Sequence, residues 1–226
     1  MSRKTDIRRD SRPQSPELFT DTRQKAELEA RNGLLQFDEV VRLISDAERG
    51  NKFKLRPSSL QDLQRIAVQD IYICAGNYRT KPVFINGTDH QPPPAPEVPR
   101  LVEEMCDYVN ESWSASTPLH LASYLMWRIN WIHPFAGGNG RTSRAVSYWV
   151  LCARLGHRLP GTLTIPDQIV DHRDPYYAAL DAADLAWAGG QLDVSVMEEL
   201  LSSLLARQLI DVHAAAAGQR PPNSTT

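Results

Sequence analysis

A mainly α-helical fold is what this chain of 226 residues predicts, and three observations predict it. Apolar residues recur at three- and four-residue spacing through most of the chain, the period of a helix with one buried face. Only one short stretch, Val83-Phe84-Ile85, is β-rich, and Asn86-Gly87 behind it is a tight-turn signal, so β structure is confined to a small hairpin or flap. Helix-start signals stand ahead of several periodic segments: Ser59 with Asp62, Thr117-Pro118, Asp174-Pro175, and Ser195 with Glu198.

Residues 1–16 are charged and carry Pro and Ser, which predicts a weakly ordered N-terminal segment. Residues 17–58 read as an N-terminal helical extension, with Leu28, Leu34, Leu35, Phe37, Val40, Val41 and Ile44 at helical spacing to about Glu48 and Gly33 as a candidate break. The main domain spans 59–213. Its first helix carries Leu60, Leu63, Ile66, Ala67, Ile71 and Tyr72 and ends near Gly76. The flap follows, then an extended proline segment containing Pro92-Pro93-Pro94. Helices are expected from Glu97 to about Trp113, from Pro118 to Ile132, from a glycine-rich loop to near Gly156, from Asp174-Pro175 through Ala186, and from Ser195 to about Val212. Residues 214–226 lack large apolar side chains and read as a disordered tail.

Composition narrows the function. Lys and Arg number 25 against 27 Asp and Glu, so the basic footprint of a nucleic-acid binder is missing. Cys74, Cys106 and Cys152 are odd in number and set among apolar residues, as reduced core thiols are, which fits a cytoplasmic compartment. No apolar segment follows the charged N-terminus as a secretory signal requires, and the longest apolar stretch, Ala145 to Ala153, is too short to span a bilayer. Neither nucleic acid nor membrane is an expected partner.

The chemistry concentrates in His133-Pro134-Phe135-Ala136-Gly137-Gly138-Asn139-Gly140-Arg141-Thr142-Ser143-Arg144. Glycines at 137, 138 and 140 remove Cβ atoms that block close backbone approach, and Asn139 tolerates left-handed conformations, so successive N–H groups can converge on an anion. The helix that follows points its N-terminal N–H groups and dipole at the same place. Arg141 and Arg144 share a face of its first turn and can reach oxygens of a polyphosphate. His133 stands where it can take a proton from an incoming hydroxyl. Separately these parts are commonplace: a Gly-rich turn before a helix is a weak nucleotide signal, a histidine beside a proline is usually structural, and paired arginines are usually solvated. Jointly they describe phosphoryl or nucleotidyl transfer. The loop is neither a Walker loop, which ends in Lys-Ser/Thr, nor a dinucleotide fingerprint, which follows a strand.

That segment resembles the Fic (Fido-domain) motif H-P-F-x-[D/E]-G-N-G-R-x-x-R, matching at His133, Pro134, Phe135, Gly138, Asn139, Gly140, Arg141 and Arg144. The likeness extends through Gly76-Asn77-Tyr78-Arg79, the Val83 to His90 flap, the proline run and the flanking helices, roughly residues 60 to 160. It implies a Fic-type helical bundle with a small β-hairpin flap, and transfer of AMP from ATP to a Ser, Thr or Tyr hydroxyl of a target protein. The resemblance implies that His133 is the base, that Phe135 anchors the loop, that Gly137, Gly138, Asn139, Gly140, Arg141 and Arg144 bind nucleotide phosphates, and that Val83, Phe84, Ile85 and Asn86 dock the target by strand addition. It also implies Mg²⁺, whose usual ligand is the acid of the motif. Glycine stands at that place, so the metal's ligand here is open: Asp167, Asp171 and Asp174 are candidates from afar, and Gly137→Asp or Gly137→Glu is expected to raise transfer if metal anchoring is the deficit.

Regulation is the other expectation. Many relatives carry an inhibitory [S/T]-x-x-x-E-[G/N] helix whose Glu pairs with the second motif arginine. Glu29 in Glu29-Ala30-Arg31-Asn32-Gly33 is the candidate here, although Lys25 stands four residues before it and Ala30 follows, and the alternative is an ordinary solvated carboxylate. An antitoxin-like partner is a further possibility the family implies. Trp127, Trp131, Tyr148 and Trp149 read as core. His120 and His157 share no metal-ligand spacing, and Ser143 has no activating neighbour in sequence, which sets aside a serine hydrolase. Two other functions stay in view: a Doc-like phosphotransferase, against which the retained Gly-Asn-Gly core weighs, and a degenerate module that binds nucleotide or partner without turnover.

Overall fold

The computed structural model describes residues 9, 11–12, 18, 21–50 and 52–218. Helices α1 (Thr22–Glu48), α2 (Pro57–Val68), α3 (Val98–Glu111), α4 (Pro118–Ile132), α5 (Asn139–Leu155), α6 (Ile165–Asp171), α7 (Arg173–Ala188) and α8 (Ser195–Ala216) follow one another, with strands β1 (Ser11–Arg12) and β2 (Phe84–Ile85) and a 3₁₀ turn at Ala95–Glu97. By internal contact the chain divides into two compact units. The first comprises Met1–Glu39, Lys54–Asn110 and Arg128–Ser143, and the second Val40–Phe53, Glu111–Trp127 and Arg144–Thr226.

In the first unit α1 runs straight through Gly33, because a glycine inside a long helix costs only about 1 kcal/mol and neighbouring contacts repay it. The expected apolar stripe on α1 is corrected: Leu34 and Leu35 are exposed, and the buried positions include Asn32 and Gln36. Their amide nitrogens reach across to α2 and its following turn, Asn32 Nδ2 donating to the Gln69 carbonyl at 2.8 Å and Gln36 Nε2 to that of Leu63 at 3.0 Å, while Asn32 Oδ1 is buried without a partner. Helix α2 starts at Pro57 without a side-chain cap, two residues ahead of the Ser59 expected to cap it. It stops at Val68, short of the expected end near Gly76, and Asp70 at φ 62 turns the chain. Ala67, Val68, Ile71 and Tyr72 then form a buried cluster against which Leu28 of α1 packs.

The expected hairpin is replaced by a non-local pair. Strand β2 runs antiparallel to β1, with Ser11 opposite Ile85 and Arg12 opposite Phe84, so the flap's partner comes from the N-terminal segment. Of residues 1–16, read as weakly ordered, the described ones are 9, 11 and 12; the others lie outside the described residues. The tail expected from 214 begins as the last turn of α8, through Ala216, and 219–226 lie outside the described residues.

The second unit holds α6, α7 and α8 with the last turns of α1, the N-terminal part of α4 and the C-terminal part of α5, and Leu125, Val150, Ile169, Leu180 and Met197 are buried in it. Phe53 stacks on Trp113 at 3.8 Å between centroids. Trp127, Tyr148 and Trp149 are buried as expected, while Trp131, in the first unit, is half-buried beneath the Arg128 guanidinium at 4.3 Å. Helix α6 was not expected; Thr164, whose hydroxyl accepts from Asp167 N–H, caps it ahead of Pro166. Glu198 does not close a capping box with Ser195, since its Oε1 meets His120 Nδ1 at 2.8 Å.

Candidate active site

His133 is the first residue past α4, and its conformation is set by the helix end. Its N–H still donates to the Ile129 carbonyl at 2.9 Å, but φ is 50, a left-handed value that costs a non-glycine residue about 1 kcal/mol or more. Arg79 holds it there. The guanidinium Nε donates to the His133 carbonyl at 2.8 Å, NH2 to those of Ile132 and Pro93, and NH1 to that of Lys81 at 3.2 Å, while the Arg79 N–H donates to Pro134 at 2.9 Å. One buried side chain thus ties the end of α4 to both sides of the flap.

The imidazole is buried, 5 % exposed, with Nδ1 3.3 Å from the Asn130 carbonyl and Nε2 lacking any partner. That contact puts the proton on Nδ1 and leaves Nε2 the acceptor. Burial, helped by the Arg79 and His90 charges, lowers the His133 pKa to about 3 against the opposing Asn130 bond. The ring is therefore neutral near pH 7.

Asn139 opens α5 and locks the loop: its Oδ1 accepts from Phe135 N–H at 3.0 Å and its Nδ2 donates to the Phe135 carbonyl at 2.8 Å. Phe135 is fully buried beside the Tyr78 ring. Gly138 has φ 79, and a Cβ there would lie 2.6 Å from Val68 Cγ1, so both backbone and space demand glycine. Its carbonyl accepts from Thr142 N–H and hydroxyl. The first N–H groups of α5, at Asn139, Gly140 and Arg141, have no intrahelical acceptor by helix geometry and carry the positive end of its dipole. Ser143 donates to the Gly140 carbonyl and accepts from Asn130 Nδ2 at 2.9 Å, bonds that make it a strut of the loop.

Arg141 donates to the Ala67 carbonyl at 2.9 Å and meets Glu29 Oε1 at 3.4 Å, so both the loop's first arginine and the candidate regulator are brought together. Glu29 engages the first motif arginine, where the resemblance implies the second. Arg144 is half-buried and begins the second unit's share of α5. On the flap, Val83 is buried, Phe84 is 66 % exposed, Ile85 is half-buried and Asn86 exposed.

Gln64 went unnoticed in the sequence, although a lone polar residue on α2's buried stripe with Leu60, Leu63 and Ala67 is its signal. Its Nε2 donates to the Gly137 carbonyl at 3.0 Å and its Oε1 accepts from Gly76 N–H at 2.6 Å. Tyr72 was read as core and is that, but its ring also lies against Gly137. The implied Mg²⁺ does not fit these residues. Gly137 offers no ligand, the Tyr72 ring backs it, and among the described residues no three His, Cys, Asp or Glu side chains cluster to hold a metal. Asp167 accepts from the Thr164 hydroxyl in the second unit, and no described helix is long and apolar enough to cross a membrane.

A model of the Fic/DOC family matches residues 54–151. The protein adenylyltransferase Fic of Drosophila willistoni is 28% identical over 159 residues, 70% of this chain and 30% of that protein. The protein adenylyltransferase fic-1 of Caenorhabditis briggsae is 34% identical over 113 residues, 49% of this chain and 20% of its own. The chain therefore spans about 30% of the length of the Drosophila relative it matches. Among solved structures, a Fic-domain-containing signaling protein from Bacteroides thetaiotaomicron superposes with a TM-score of 0.66 at 25% identity, over 86% of this chain and 76% of that one. A loop that keeps histidine, Gly-Asn-Gly and both arginines, carried by helices that superpose on such a protein, is what residues 54–151 of this chain share with the Fic/DOC family.

Proposed function

We propose that the protein is an adenylyltransferase that moves AMP from ATP to a hydroxyl of a target protein. The observation that carries this reading is the neutral His133 ring with its unpartnered Nε2, next to a glycine loop that opens α5. In the step, the target's hydroxyl oxygen attacks the α-phosphorus of ATP, its proton passes to His133 Nε2, and pyrophosphate leaves. The N–H groups at the start of α5 would neutralise the phosphate charge that develops. Arg141 and Arg144 are the proposed holders of the distal phosphates, and Arg141 must release Glu29 to serve. Nε2 is covered, so a target hydroxyl reaches it only when its cover gives way. The names of the Drosophila and Caenorhabditis relatives support the same reaction.

The flap is the proposed dock for the target's backbone, by addition to the β2 edge. Glu29 is the proposed brake, and an antitoxin-like protein that reinforces it is the proposed regulatory partner. The cytoplasm is the proposed compartment, in keeping with the free thiols of Cys74, Cys106 and Cys152.

The test uses α-labelled and γ-labelled ATP with a lysate. Label from the α-phosphate on protein, lost about 10²–10⁴-fold in His133→Ala, is the expected outcome. Label from the γ-phosphate alone would make the enzyme a Doc-like phosphotransferase, and nucleotide binding with no label would make it a module without turnover.

A further inference from the structure

Gly137 is not glycine for the sake of its backbone. Gly138 beside it has φ 79, but Gly137 lies outside the left-handed region, so an L-residue could adopt its conformation. What crowds one is Tyr72. A Cβ on Gly137 would stand 3.0 Å from both Cε2 and Cζ of the Tyr72 ring and 3.3 Å from its hydroxyl oxygen, inside the 3.4 Å at which ordinary contact begins. Neither side yields easily. Tyr72 is 9 % exposed within its cluster with Val68 and Ile71, its N–H donates to the Val68 carbonyl, and Lys25 Nζ lies 5.9 Å from its ring centroid. Gly137 is held through its carbonyl by Gln64, which also grips Gly76.

We propose that Tyr72 and Gly137 are one device, in which the phenol takes the volume a carboxylate at 137 would project from and acts as a positioning donor to the nucleotide's phosphates. This rests on the proposed nucleotide site. A neutral hydroxyl stands where a metal-ligating acid would otherwise be, so nucleotide binding does not depend on a divalent cation. A carboxylate restored at 137 alone then meets the ring and adds nothing, which reverses the expectation drawn from the sequence for Gly137→Asp.

Binding of ATP and of adenosine, each with Mg²⁺ or with a chelator, is measured by calorimetry, and melting is followed without nucleotide. The wild type binds ATP equally in both media. Tyr72→Phe keeps the ring and loses the donor, so ATP binds about 3–10-fold more weakly while adenosine binding is unchanged. Gly137→Asp melts roughly 5 °C lower through overpacking. Gly137→Asp with Tyr72→Ala recovers melting relative to Gly137→Asp and gains Mg²⁺-dependent ATP binding. Wild-type ATP binding that requires Mg²⁺, or a Tyr72→Phe protein that binds ATP like the wild type, overturns the proposal. So does a Gly137→Asp protein that melts with the wild type. If the wild type binds no nucleotide, the adenylyltransferase reading and the donor role fall together, and the melting series alone still decides whether Tyr72 fills the place of a side chain at 137.

Discussion

Asn139 commits both halves of its amide to the main chain of Phe135, so the side chain is a clasp and the proposed anion binding falls to backbone N–H groups. Asn139→Ala leaves a buried N–H and carbonyl of Phe135 without partners, and a loss of about 1–3 kcal/mol is expected, read as a melting decrease of about 2–4 °C per kcal/mol. His133 leaves a mark of its own on stability. Its folded pKa of about 3 lies below the ordinary value of 6.5, so between those values the unfolded chain binds a proton that the folded one does not. Stability therefore falls as pH drops from 6.5 towards about 3, by about 2 kcal/mol at about pH 5. Urea unfolding of wild type and His133→Gln at about pH 7.5 and about pH 5 should show that component in the wild type and not in the variant. A common slope for both would mean that His133 is not held neutral.

At the scale of elements, the flap hangs on Arg79. Its donors reach carbonyls of Lys81 and Pro93 on the flap side and of Ile132 and His133 on the α4 side, and burial lowers its pKa without a carboxylate partner. Arg79→Met should cost about 3 kcal/mol and loosen both His133 and β2, seen as lost amide protection at Phe84 and Ile85 together with slower transfer. Glu29 and Arg141 join α1 to the loop through a pair of which Glu29 is 41% exposed, so the bond is worth at most about 1 kcal/mol. Glu29→Gln is expected to leave melting nearly unchanged and to raise self-labelling from α-labelled ATP. Equal labelling in an active enzyme would reduce Glu29 to a surface carboxylate.

Across the whole molecule, what was legible in the sequence is what local physics controls. The helix at Pro118–Ile132 and the stop at Leu155 before Gly156, with φ 82, follow from a cap, a period and a glycine. The pairing of β2 with β1 was hidden, because its partner lies far away along the chain and two residues carry no pattern. Helix α6 was hidden by its brevity, though Thr164 and Pro166 mark its start. In the candidate site, the histidine, the loop and the arginines could be read from their order, whereas the grip of Arg79, the brace of Gln64 and the ring of Tyr72 depend on contacts between distant segments. The buried Asn32 and Gln36 carry a last consequence. A joint closed by two amide side chains, a half-exposed ion pair and the apolar contact of Leu28 sheds little oily surface when it parts, so its opening should be only weakly sensitive to urea. Native-state hydrogen exchange across residues 22–39 should therefore display shallow denaturant slopes while α2 displays steep ones, and that part of α1 would come away as a latch lifts, with the rest of the first unit still folded.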